Sequence, residues 1–226
     1  SVVTGRSHCP SCKTLIKWYD NIPLFSYLFL RAKCRGCSAK INIKYFLVEL
    51  ISSINFIVIF HFFGVSLTTL LFFILSICFV IIFFIDLKHF IIPNELTYPL
   101  MIIGLLKSFD PNLNTTLFPN LVNSLIGGLF GYIIIWLIIF TYKKLRNKEG
   151  MGLGDAKLLS VIGFWFGWAS IPFVIFFSSV IALLSVVPDI IKNKKDLSSQ
   201  IPFGPYLIIG NLVFLIFNEQ IRLFLN

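Results

Sequence analysis

Residues 66–85 read SLTTLLFFILSICFVIIFFI, and Asp86 follows. No charged side chain occurs in the run. A helix needs about 20 apolar residues to cross the hydrocarbon core of a bilayer, and this segment meets that length. Runs of the same kind recur at 45–63, 119–141, 171–189 and 203–222. Two more are shorter or interrupted: 94–109, which contains Pro99 and Gly104, and 155–169. Short segments are tolerated where protein or a water-filled cavity covers their ends. The expectation is an all-α polytopic membrane protein with about seven transmembrane helices.

Composition agrees. Of 226 residues, 57% are hydrophobic, 26 are Phe and only 13% are charged, and the mean hydropathy is +0.90. Soluble domains are typically about 45–50% apolar and about 25% charged, so this chain has too little charge to cover a water-exposed globule. Disordered chains are poor in aromatic and branched apolar residues, which excludes that class too.

The formal charge of +9 has two readings, nucleic acid or the cation excess of cytoplasmic loops. The distribution separates them. With residues 1–44 on the cytoplasmic side, the chain returns there at 86–93, 142–154 and 190–202. The first segment carries eight cations, Lys88 lies in the second, and Lys143, Lys144, Arg146 and Lys148 in the third. Lys192, Lys194 and Lys195 lie in the fourth, and Lys157 is one turn past the third. That places 17 of the 19 Lys and Arg on one face and leaves only Lys107 and Arg222. The charge reports orientation, and no nucleic acid is required. Lys192–Lys195 reads as a solvated loop facing anionic lipid.

Four of five cysteines fall in the first 37 residues, as Cys9-Pro-Ser-Cys12, a 21-residue spacer, and Cys34-Arg-Gly-Cys37. Two such turns supply the tetrahedral sulfur set that structural zinc prefers, and nearby cations favour thiolates. A redox dithiol pair and unmetallated thiols are the other readings. The cytoplasmic side disfavours a structural disulfide. A 44-residue module needs a metal or the membrane body to hold its shape. The chain therefore divides into a cytoplasmic four-cysteine zinc-binding domain at 1–44 and a membrane domain at 45–226. Cys78, mid-span, reads as a small apolar packer.

Two aspartates stand at the cytoplasmic ends of spans. Asp86 closes the run quoted above and precedes Pro93, and Asp155 ends Gly150-Met-Gly-Leu-Gly-Asp155. Each has a plain reading, as the polar end of a span or as a helix cap. Ionisable groups at membrane depth are also functional candidates. The three glycines before Asp155 permit close backbone approach. If the carboxylates meet, one holds a proton while the other ionises, and the pair can activate a water against a peptide carbonyl.

These residues resemble the prepilin peptidases, or type IV leader peptidases, over nearly the whole chain. The resemblance rests on the CPSC and CRGC pairs, Trp18-Tyr19-Asp20-Asn21-Ile22-Pro23, and Lys44-Tyr45 leading to Glu49. It continues through Ile85-Asp86 with Ile92-Pro93, Gly150 to Lys157, and Ile201-Pro-Phe-Gly-Pro-Tyr206. It implies a GxGD-type membrane aspartyl peptidase of the bacterial inner membrane that removes the leader of type IV prepilins or pseudopilins on the cytoplasmic side. Asp86 and Asp155 match the catalytic pair, and Cys9, Cys12, Cys34 and Cys37 match the zinc loop. Many members also N-methylate the new amino terminus with S-adenosylmethionine. No glycine-rich cofactor motif stands out here, and the sequence assigns no cofactor-binding residue. Family members usually have eight spans, and Ser1-Val2-Val3 resembles the end of the first, so the resemblance implies that the first family span is missing from this chain. Asn94 departs from the Asp that many relatives carry after Ile-Pro.

Two competing functions stand beside this one. A noncatalytic membrane scaffold, recruiting a partner through its zinc loop, predicts that both aspartates tolerate Asn. A presenilin-type GxGD peptidase shares Gly152-Leu-Gly-Asp155 but lacks support elsewhere in the chain. Among the remaining residues, Glu49 is either an acid serving substrate or cofactor or a carboxyl satisfied near the interface. His8 is a weak outer candidate for the zinc loop, and His8, His61 and His89 share no ligand spacing. Pro202, Gly204 and Pro205 read as a kinked start to the last span beside the acid pair, or as an ordinary helix start. Gly127-Gly128 and Gly131 read as a close helix-packing surface.

Overall fold

The computed structural model describes residues 7–22, 24–113, 117–146, 151–191 and 201–218, without the side chains of 146, 189 and 190. Several sequence readings lie outside them: Ser1-Val2-Val3, Arg6, Pro23, Lys148, Gly150, Lys192, Lys194, Lys195 and Arg222. Eight α-helices form, and the described residues contain no β-strand beyond isolated bridges. They are α1 (Phe25–Phe29), α2 (Ile43–Phe63), α3 (Leu67–His89), α4 (Asn94–Lys107), α5 (Leu121–Arg146), α6 (Leu153–Phe166), α7 (Ser170–Ile191) and α8 (Gly204–Ile216). Every apolar run became a helix. Four segments, Ile43–Phe63, Leu67–His89, Leu121–Leu145 and Ser170–Pro188, are long and apolar enough to cross a membrane. At 1.5 Å per residue, α4 and α6 are about 21 Å long, short of the roughly 30 Å core.

The helix ends follow local chemistry. Asn42 caps α2 by accepting from the Lys44 amide at 3.0 Å, and Gly64 closes that helix at φ +58°. Ser66 Oγ then accepts from the Thr69 amide at 3.1 Å, opening α3. α3 does not stop where its apolar run stops. It continues to His89, so Asp86 lies within the helix. Phe90 at φ +57° reverses the chain, and Pro93 starts α4.

Two compact units arise, Ser1–Val80 and Ile81–Asn226. In the first, α2 has no buried residue and meets the start of α3 through the Phe56–Phe73 and Phe63–Phe72 ring pairs. As an apolar helix with no buried residue among those described, α2 has the length and composition of a membrane span.

The second unit is organised on α6, which packs against α4, α5, α7 and α8. Ala156, Leu158, Leu159, Val161, Ile162 and Trp165 on it are fully buried. This burial is what stabilises so short a helix. The glycine run on α5 does pack closely, because a Cβ at Gly127 would strike the Gly163 carbonyl and one at Gly131 the Leu159 carbonyl, at 2.5 and 2.7 Å. Ser124 and Ser160 add hydroxyl bonds to the Phe164 and Gly128 carbonyls, at 2.7 and 2.8 Å. Trp165 Nε1 donates to the Leu100 carbonyl at 2.8 Å, tying α6 to α4. Lys107 is buried, with Nζ 4.0 Å from the Phe118 ring centroid and 5.6 Å from that of Trp165.

Candidate active site and metal centre

Asp86 sits one turn before the end of α3, and Asp155 in the first turn of α6. Both are buried, with 4% and 7% of their surfaces exposed. Asp86 Oδ2 accepts the Gly204 amide at 3.0 Å, where α8 begins. A Cβ on Gly204 would stand 2.7 Å from that oxygen and 3.0 Å from Ile92 Cδ1. A Cβ on Gly154 would stand 3.0 Å from Ile92 Cβ. Ile92 is thus wedged between the start of α8 and the glycine beside Asp155. The two carboxylates come close enough that the charge of Asp86 acts on Asp155.

The local sequence explains the convergence. The left-handed turn at Phe90 folds Ile92 back beneath Asp86, and glycine at 154 and 204 leaves room for it. Both acids lie near helix N-termini, Asp155 on its own helix and Asp86 against α8, where free backbone N–H groups point at carboxylates. Near the pair, Lys157 Nζ donates to Asn94 Oδ1 at 2.6 Å, so Asn94 serves as a neutral acceptor for that lysine.

The cysteine module repeats itself. Cys9 N donates to Thr14 O at 3.0 Å, and Cys34 N to Ala39 O at 2.9 Å. Lys13 N returns to Cys9 O and Ser38 N to Cys34 O, at 2.8 and 2.9 Å. Lys13 and Ser38 are both left-handed, at φ +57° and +56°, and His8–Leu15 and Lys33–Lys40 form matching bridges. The two turns are the same structure, built twice.

Together they bring all four Sγ atoms within 4.8 Å of one another, with Cys9–Cys37 and Cys12–Cys34 each at 3.9 Å. A disulfide requires about 2.05 Å. A tetrahedral ZnS₄ site with Zn–S near 2.3 Å has sulfurs about 3.8 Å apart, so the donor set fits zinc. The Thr14 hydroxyl, 3.1 Å away, and then the Thr14 amide bring the Cys12 thiol down from 9.0 to about 6. The Cys37 and Gly36 amides lower Cys34. Cys37 rises to about 11; the Ala39 amide lowers it, but sharing with Cys12 and crowding among the other thiols prevail. His8 is not part of this cluster.

Three contacts escaped the sequence reading. Glu49 Oε2 accepts the Leu24 amide at 2.9 Å, which identifies the satisfied-carboxyl alternative for that residue. Ile92 entered only as part of a motif, although it packs between the acid-bearing segments. The Gly204 amide bond joins residues 118 apart in sequence; glycine between two prolines signalled a special backbone there, without naming its partner.

A model of the type IV leader peptidase family matches residues 72–187, and one of the bacterial peptidase A24 N-terminal domain matches residues 1–63. The chain is 36% identical over 221 residues to the prepilin leader peptidase/N-methyltransferase of Aeromonas hydrophila, covering 98% of this chain and 74% of that one. The protein of the same name from Pseudomonas aeruginosa is 36% identical over 222 residues, with the same coverage. That of Neisseria gonorrhoeae is 35% identical over 215 residues, covering 95% of this chain and 72% of that one. No solved structure matches the chain.

Proposed function

The chain belongs to the type IV leader peptidase family, and from that premise we infer that it is a membrane aspartyl endopeptidase that cleaves the leader of type IV prepilins or pseudopilins and N-methylates the new amino terminus. The observation that carries the peptidase reading is that the Gly204 amide bonded to Asp86 and Gly154 next to Asp155 both adjoin Ile92, with the charge of Asp86 acting on Asp155. Asp86 and Asp155 are the catalytic pair.

Like charges at this range cannot both ionise, so the dyad holds one proton and titrates as a unit. The ionised member takes a proton from a water, whose oxygen attacks the scissile carbonyl carbon. The protonated member gives its proton to the carbonyl oxygen. Collapse of the tetrahedral adduct breaks the C–N bond, and the leaving amine takes up a proton. The Gly204 N–H holds Asp86 in orientation throughout.

Residues 1–44 form the zinc-binding domain, in which Cys9, Cys12, Cys34 and Cys37 would hold the metal. Bound there, zinc would crosslink the two turns. Residues 45–226 form the peptidase domain, with about seven spans: the four long helices, with α4, α6 and α8 completing the set under cover of their neighbours. The cation bias supports an inner-membrane protein with the acid pair facing the cytoplasm. S-adenosylmethionine would donate the methyl group to the new amine. The described residues contain no strand–glycine–helix cradle of the common cofactor type, so no step is assigned to a residue for that reaction.

The test is cleavage of a prepilin in liposomes by the parent protein, Asp86→Asn and Asp155→Asn at matched zinc content. Each variant is expected to lose about 1,000-fold or more in rate, as when one member of a catalytic unit is removed. Parental cleavage by either variant would refute the dyad, and in both it would favour the scaffold reading.

A further inference from the structure

The short helix α1 lies against the beginning of α2. The Leu24 amide, at the start of α1, donates to Glu49 Oε2 at 2.9 Å, and the Tyr27 and Phe46 rings pack at 5.0 Å. Glu49 is six residues into α2, about 9 Å along its axis. α2 itself is 21 residues long, about 31 Å at the helical rise, which matches the hydrocarbon thickness with little to spare. The segment at Leu24 is therefore held about 9 Å below the head of a membrane-crossing helix.

At that level α1 turns its large apolar side chains away from the protein. Phe25 is 63% exposed, Leu28 64% and Phe29 83%. Trp18, in the preceding helical turn, is exposed as well, and Trp favours the membrane–water boundary. A recess of about 710 Å³ beside them is bordered by Phe25, Phe29 and Leu30 and by the Asp20–Arg35 ion pair. Residues 7–44 carry seven Lys and Arg against the single acid Asp20, and Asp20 is already bonded to Arg35 at 2.6 and 2.8 Å. Apolar side chains at one depth beside a cation-rich module match an interfacial element, whose apolar face sits about 5–10 Å into the headgroup–acyl boundary.

We propose that α1 is a membrane wedge: Phe25, Leu28 and Phe29 insert into the phospholipid leaflet beside α2, and Glu49 sets their depth. The cysteine module is then fastened to the bilayer at a second place besides the covalent start of α2. Water at Phe29 would leave three large side chains hydrated, whereas lipid buries them at roughly 25 cal/mol per Å² of apolar surface. The proposal rests on α2 being a span and is independent of the catalytic assignment.

The experiment uses the full chain, zinc-loaded, in vesicles of phosphatidylethanolamine and phosphatidylglycerol. A benzophenone-bearing residue is placed in turn at Phe29, at Ser11 on the exposed first cysteine turn, and at Ile57 on the exposed surface of α2. Mass spectrometry then reads phospholipid adducts. The expected yield at Phe29 is within about threefold of that at Ile57 and at least tenfold above that at Ser11. Glu49→Ala, which removes the acceptor from the Leu24 amide, is expected to lower the Phe29 yield at least threefold and leave Ile57 unchanged. Lipid adducts at Ile57 but not at Phe29, or adducts from Phe29 to protein instead, overturn the wedge while the span reading stands. Absence of adducts at both overturns the wedge together with the span. An unchanged Phe29 yield in Glu49→Ala overturns the role of Glu49 in setting depth.

Discussion

Replacing Gly204 by alanine puts a methyl carbon 2.7 Å from Asp86 Oδ2 and 3.0 Å from Ile92 Cδ1. Comfortable heavy-atom contacts lie nearer about 3.5 Å, so the carboxylate or the start of α8 must withdraw by roughly 0.5 Å or more. Ile92 cannot yield freely, because Gly154 holds it from the other side. Overpacking of this kind costs about 1–3 kcal/mol, partly offset by the better helix propensity of alanine. Against a typical stability of about 5–15 kcal/mol, that leaves nearly all molecules folded. The catalytic consequence is larger, since a displacement of about 1 Å at a reacting group can cost roughly 100-fold. Gly204→Ala is therefore expected to cleave prepilin about 10- to 100-fold more slowly, with zinc content unchanged and the melting temperature lowered by only a few degrees. Single-turnover cleavage in liposomes, with thermal unfolding measured in parallel, is the assay. A rate within twofold of the parent would refute the argument that the Gly204 backbone positions Asp86.

Three further outcomes follow from the geometry. Gly163→Ala drives a Cβ into the Gly127 carbonyl, and because backbone meets backbone the α5–α6 contact should lose about 3 kcal/mol; parental thermal stability would contradict that packing. Cys12→Ser removes one of four thiolates and should leave less than one zinc per five chains after dialysis, roughly the loss expected when a structural tetrad is broken; metal analysis decides it. Arg35 holds the Asp20 carboxyl below its ordinary 3.8. The pair's contribution is thus fully present above 3.8 and is lost as pH falls through the lowered value. Asp20→Asn should abolish that acid-dependent step by lowering the neutral-pH stability of the cysteine module to its acid value, a small loss because Arg35 is mostly exposed; a pH titration of module unfolding tests it.

The parts legible in the sequence were those that repeat locally. The apolar runs forecast helices because lipid-facing and core-facing helices alike need unbroken hydrophobicity. The 66–85 run even located its acid, although the helix carried on to His89 where the reading had treated Asp86 as a span's polar end. The CxxC pairs forecast a sulfur cluster because a tight turn fixes the distance between its own cysteines. What stayed hidden depends on backbone atoms and on distant partners. The Gly204 amide has no side chain to announce it, and Ile92 looks like any other apolar residue. Glu49 carries two readings in the sequence, and the Leu24 amide beside it fits the satisfied carboxyl. Lys107 looked like a stray positive charge on the minority face, yet it lies over the Phe118 ring. The family resemblance supplies the roles proposed for the aspartates only through motifs, since neither apolar periodicity nor spacing can say that two helix ends meet.

The duplicated cysteine turn bears on how the metal arrives. Each turn closes its own backbone bonds within a few residues, so either can hold zinc through two sulfurs before the other is engaged. The second pair then acts as an intramolecular ligand across a 21-residue spacer, so its effective concentration is independent of the protein's own. Uptake should proceed in two kinetic phases, a concentration-dependent capture and a concentration-independent ring closure. Release would require both chelates to open at once, so a metal that loads readily exchanges slowly.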